Sequence, residues 1–89
     1  MPTSSESLIV LPATVDLHAR PAANFVRTAM GFNAQITVAA GDREADAKSL
    51  LAVLALGAKR GSTLRLTADG DDADRAVDAL SGCVANLSE

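Results

Sequence analysis

The feature that most constrains this chain is an alternation of short apolar segments of two different periods, each apolar on one side only. Residues 7–14 (SLIVLPAT) have the leucine-rich, β-branched composition of a strand, and Pro12, which lacks a donor, suits a strand end or edge. Residues 1–6 are polar and are expected to fray. Residues 19–30 have helical spacing, with Ala22, Val26, Ala29 and Met30 on one face, Pro21 in the first turn and Gly31 as the stop. Residues 34–40 alternate with Ile36 and Val38 to one side, which predicts a half-buried strand. Gly41 and Asp42 mark a turn into a short charged return strand over residues 43–47. Ser49 opens a short helix over residues 50–56, stopped by Gly57. Residues 63–68 alternate again with Leu64 and Leu66 inward, and Gly70 ends that strand.

The last helix, residues 72–87, has the clearest period, carried by Ala73, Ala76, Val77, Leu80, Val84 and Leu87. Asp71, Asp72 and Asp74 crowd its start, where carboxylates favour the helix dipole. The order is therefore β-α-β-β-α-β-α. Burying one face of every strand and one stripe of every helix calls for an α+β fold, a four-stranded antiparallel sheet with three helices on one face, in a split βαβ arrangement. The 89 residues are expected to form one domain, residues 1–89.

Charge and composition exclude several functions. A formal net charge of −3 and only two aromatics, Phe25 and Phe32, provide neither the basic face nor the stacking surface of a nucleic-acid binder. They also argue against a membrane-surface role. The core is expected to be built from Ala, Val, Leu and Ile. The single cysteine, Cys83, rules out an internal disulfide and CxxC redox or zinc chemistry, and is read as a small apolar residue of the last helix. A small domain without disulfide staples points to the cytoplasm. The longest apolar run, residues 50–56, is far too short to span a bilayer, and the N-terminus lacks the pattern of a signal peptide. One histidine and no clustered ligands predict no metal, and no organic cofactor is expected.

The segment Leu17-His18-Ala19-Arg20-Pro21-Ala22 carries the chemistry. His18, the only histidine, falls at the start of a helix, where unpaired N–H groups and the helix dipole form an anion site. Arg20 adds a guanidinium suited to phosphate oxygens. Imidazole, cation and helix N-terminus together suit a histidine that is phosphorylated: a ring nitrogen attacks the phosphoryl group while Arg20 and backbone N–H groups take up charge on its oxygens. By position alone, a lone histidine at a helix start is more often a solvated or capping residue.

LHARPAA, residues 17–23, resembles the active-site signature of the HPr family, the histidine phosphocarriers of the bacterial sugar phosphotransferase system. Residues 46–66, DAKSLLAVLALGAKRGSTLRL, resemble the second landmark of that family, a lysine-serine pair followed by an apolar helix and a glycine. The resemblance implies an open-faced β-sandwich and assigns roles. His18 matches the histidine phosphorylated at Nδ1, and Arg20 the arginine that steadies the phosphoryl group. Ser49 matches a serine that a regulatory kinase modifies in many Gram-positive relatives, and Leu50, Leu51 and Leu54 match an apolar docking patch. Arg27 is either a solvated arginine or a docking cation for an acidic partner. The implied donor is enzyme I, charged by phosphoenolpyruvate. The implied acceptors are sugar-specific enzyme IIA domains, with an HPr kinase/phosphorylase where one exists. The implied protein is a stoichiometric carrier and a monomer.

Two positions depart from the family pattern. Asp16 stands where a glycine is usual, and Val15 where Asn or Ser is common. Asp16 either caps the helix or repels the phosphoryl group, and it predicts slower phosphorylation than in a relative with glycine there. Ser49 is read both as an N-cap and as a modification site. Related carriers in nitrogen-regulatory or dihydroxyacetone phosphotransfer chains share this histidine chemistry. A regulatory module acting through Ser49 and the leucine patch is the rival of another class.

Overall fold

The computed structural model describes residues 3–87. Its elements are β1 (Ser4–Val10), α1 (Ala19–Met30), β2 (Gln35–Ala40), β3 (Arg43–Asp46), α2 (Leu50–Ala55), β4 (Thr63–Asp69) and α3 (Ala73–Ala85). The strands form one sheet in the order β1-β4-β2-β3 with every pair antiparallel. β1 and β2 both pair with β4 and so run parallel to each other with β4 inserted between them, which is the expected split βαβ.

Register explains why one face is apolar. Ile9 lies opposite Leu64 and Ser7 opposite Leu66, while Val38 lies opposite both Leu66 and Ala45. Because side chains alternate, these positions project together toward the helices, and Glu6, Leu8, Arg65 and Glu44 project to the other side. The inward set packs on Phe25, Val26, Val53, Leu80 and Val84 of the helices. Many buried positions are alanine, among them Ala22, Ala29, Ala76 and Ala68, which lets helices lie close to the sheet.

Four expectations are corrected. First, Ser4, Ser5 and Glu6 do not fray but pair with β4 opposite Asp69, Ala68 and Thr67; residues 1 and 2 of that stretch lie outside the described residues. The strand also ends earlier than the apolar run, at Val10, and Leu8 and Val10 stand exposed on the open face. Second, the core is not purely aliphatic, since Phe25 is the largest fully buried side chain. Third, Met30 does not face the core. At 3.6 residues per turn it points about 80° round from Ala22, on the side of Ala23 and Arg27. Fourth, the last helix is shorter than the expected 72–87: α3 runs Ala73–Ala85, and Asp72 is its N-cap residue, with no side-chain cap bond. Its carboxylate instead accepts the Asn33 and Ala34 N–H groups, each at 2.8 Å, which fastens α3 to the head of β2. Those bonds hold the Asp72 carboxyl below the usual aspartate range.

Gly70 makes the same junction possible. Its φ of 145° is a conformation that L side chains rarely adopt, and a Cβ there would stand 2.9 Å from Ala34 Cα.

Candidate functional site

The site is built on the connection from β1 to α1. Val15 and Leu17 are both 1% exposed and anchor this segment in the core. With Val15 and Leu17 inward, Asp16 and His18 are turned outward, and His18 is exposed. The backbone is pinned on both sides: Leu17 N–H donates to Ala58 at 2.9 Å, and His18 N–H donates to the Asp16 carbonyl at 3.0 Å.

His18 is the N-cap residue of α1, with extended backbone (φ −135°, ψ 171°). Its carbonyl accepts Ala22 N–H at 3.3 Å, and its side chain makes no cap bond. The imidazole therefore stands at the positive end of α1 without closing off the helix's first N–H groups. Arg20 lies exposed in the first turn, and Pro21 and Ala22 turn into the core. Ala19, between His18 and Arg20, has φ 37°, the one positive φ at a non-glycine among the described residues.

Asp16 does not cap α1. Its carboxylate is held by Arg60, whose backbone N–H donates to Oδ1 at 2.7 Å, Nε to Oδ1 at 3.3 Å and Nη2 to Oδ2 at 3.3 Å. The Arg60 hydrogen bonds hold the Asp16 carboxyl below the usual aspartate range, against a small opposing effect of burial, and the nearby charges of Arg60 and His18 act in the same direction as the bonds. Nothing local in the sequence marked Arg60, since it lies 44 residues away. Only a search for a cation to balance Asp16 would have pointed to it.

The second landmark lies alongside. Lys48, just before α2, donates from Nζ to the Phe32 carbonyl beyond the end of α1, at 2.6 Å. Ala58, beyond the end of α2, accepts from Leu17 ahead of α1. The two helices are thus tied head to tail, with Ser49 at the head of α2 between Lys48 and Leu50. Ser49 is the N-cap of α2, its side-chain oxygen accepting Ala52 N–H at 3.3 Å. Arg27 and Leu50 meet in a groove of about 340 Å³ between α1 and α2, together with Ala23, Val26, Met30 and Lys48. Leu51 is 80% exposed, while Leu54 is half-buried against the core. Met30 and Lys48 are members of this surface that the sequence reading did not assign to it.

An antiparallel sheet covered on one side, with an exposed histidine at the head of the first helix, defines the class: an open-faced β-sandwich presenting an imidazole at a helix N-terminus. A family model described as the PTS HPr component phosphorylation site matches residues 6–86. Phosphocarrier protein HPr of Haemophilus influenzae is 41% identical over 75 residues, spanning 84% of this chain and 88% of that protein. A multiphosphoryl transfer protein of Xanthomonas campestris is 43% identical over 72 residues, which make up 81% of this chain and 9% of that longer protein. A crystal structure of HPr from Thermoanaerobacter tengcongensis superposes with a TM-score of 0.87 at 38% identity, covering 91% of each chain. The chain belongs to the HPr family, the phosphocarrier proteins of the phosphotransferase system.

Proposed function

We propose that His18 is the residue that carries the phosphoryl group, and that the chain takes it from enzyme I and delivers it to enzyme IIA domains as a stoichiometric carrier. The observation that supports this most directly is the placement of His18: an exposed N-cap residue whose side chain leaves the helix end open, with Arg20 in the same turn. In the loading step Nδ1 of His18 forms a P–N bond as the phosphoryl group's bond to the donor group on enzyme I breaks. The proton displaced from the His18 ring balances the one taken up by the donor. The developing charge on the phosphoryl oxygens faces the first N–H groups of α1 and the Arg20 guanidinium. Discharge is the reverse displacement, with a nucleophile of the acceptor domain taking the phosphoryl group as the P–N bond to His18 breaks.

Docking falls to the surface beside the site. Arg27, Leu50 and Met30 line the groove, Leu51 stands exposed next to Leu50 in the chain, and together they give a partner an apolar patch with a cationic rim, while Leu54 is half-buried against the core. Ser49 lies between Lys48 and Leu50, two residues of that groove, so a phosphate on Ser49 puts negative charge on the docking surface. The chain works as a cytoplasmic monomer, because each partner must dock and leave in turn over the same face.

The test is onward transfer. The chain, charged from labelled phosphoenolpyruvate through enzyme I and freed of donor, is mixed with a panel of IIA domains. Label leaving the chain and appearing on at least one IIA domain is the expected result. Label retained on the chain against every sugar-specific IIA domain, but passed to a nitrogen-regulatory or dihydroxyacetone acceptor, replaces the sugar assignment.

A further inference from the structure

Asp16 is the departure from the family pattern closest to the site, two residues from His18 and within about 7 Å of chain length. A phosphorylated His18 brings close to two negative charges to that neighbourhood. An uncompensated carboxylate there opposes loading, which is what the sequence alone predicts. The structure supplies the compensation: three hydrogen bonds from Arg60 converge on the Asp16 carboxylate, two of them from the guanidinium. The pair also joins the segment before α1 to the loop between α2 and β4, beside the Leu17 to Ala58 bond.

We infer that Arg60 is a positioning residue for phosphoryl transfer, acting through Asp16: it neutralises the carboxylate and holds it turned toward the loop between α2 and β4, so that His18 can accept a dianionic group. This rests on His18 being the phosphorylated residue. Arg20, on α1, faces the phosphoryl group itself; Arg60, on a different element, cancels the charge that would repel it. The guanidinium suits this task because its fork engages both carboxylate oxygens at once.

The test compares loading rates by enzyme I for the parent chain, R60A, R60K and R60A/D16N, with thermal unfolding of each to confirm the fold. R60A is expected to load about tenfold more slowly at low salt, from an unscreened carboxylate near a dianion. That deficit shrinks as salt is raised to 0.5 M, where the screening length falls to roughly 4 Å. R60K, which keeps the charge, stays within about threefold of the parent, and R60A/D16N recovers to a similar level. A purely structural bolt, or a direct contact of Arg60 with phosphate or donor, gives a double variant no faster than R60A, and that result overturns the inference. So does an R60A that loads at the parent rate. A parent that takes no label on His18 refutes the carrier reading itself and the role of the pair with it, an outcome distinct from a labelled parent whose double variant is not rescued.

Discussion

Two glycine-to-alanine substitutions should move stability in opposite directions for reasons visible in the structure. At Gly70 the backbone has φ 145°, and an added Cβ meets Ala34 Cα at 2.9 Å and Ala34 Cβ at 3.2 Å. Holding alanine in that region of conformational space costs about 1–3 kcal/mol. The contact adds about 1–2 kcal/mol, because Ala34 is buried and its N–H is fixed by Asp72, so neither side yields easily. The expected loss for Gly70→Ala is about 3 kcal/mol, a fall in Tm on the order of 15 °C for a domain of this size. At Gly82, inside α3, an added Cβ meets nothing within 4 Å. Gly82→Ala should therefore gain roughly 0.5–1 kcal/mol from helix propensity and reduced unfolded-state entropy. Urea unfolding with unchanged m-values reads both. A Gly70→Ala chain within about 0.5 kcal/mol of the parent refutes the steric argument, since chance surface changes lie in that range.

Three further outcomes follow from the same reasoning. Ser49→Ala removes the α2 cap and should lower stability by about 1 kcal/mol, while Ser49→Asp, a competent cap, restores most of it; equal losses for both in urea unfolding contradict the capping role. Ala19→Gly relieves the positive φ next to His18 and should leave stability unchanged or raise it by up to about 1 kcal/mol, by the same assay. Asp16 and Asp72 both have folded-state pKa values below their unfolded ones, so the unfolded chain binds more protons as pH falls through the ordinary carboxyl range. The stability they contribute is complete above that range and is lost on acidification through the lower folded values, and Asp72→Asn should flatten the acid limb of Tm against pH.

The parts of the fold readable in advance were those whose periodicity had independent stops. α1 has an apolar stripe, Pro21 in its first turn and Gly31 after its end, and its bounds are those expected. β2, β4 and α3 follow from alternation or helical spacing in the same way. In β1 composition gives the strand but not its facing, because residues 8–11 (LIVL) are continuously apolar and carry no period; which of Leu8, Ile9 and Val10 faces inward is decided by pairing with β4. Ser4 to Glu6 likewise enter the strand through that pairing, against their own weak strand propensity.

At the site, the local cluster of His18 and Arg20 was legible because a single helix start brings the two residues together. The groove between α1 and α2 was only half legible. Arg27 and Leu50 follow from the sequence, but the helical spacing puts Met30 on the core face, and the role of Lys48 depends on the Phe32 carbonyl that its ammonium reaches only in the folded chain. Arg60 was out of reach of any local pattern, since its partnership with Asp16 exists only once the loop beyond α2 has folded against the segment before α1.

The central claim is that the phosphoryl group resides on His18. The most direct measurement incubates the parent chain and His18→Ala with phosphoenolpyruvate and enzyme I, then maps the modification. Acid-labile phosphate on His18 of the parent, and none on a folded His18→Ala chain, is the predicted result. Equal labelling of the two chains, or acid-stable phosphate at another residue such as Ser49, contradicts it.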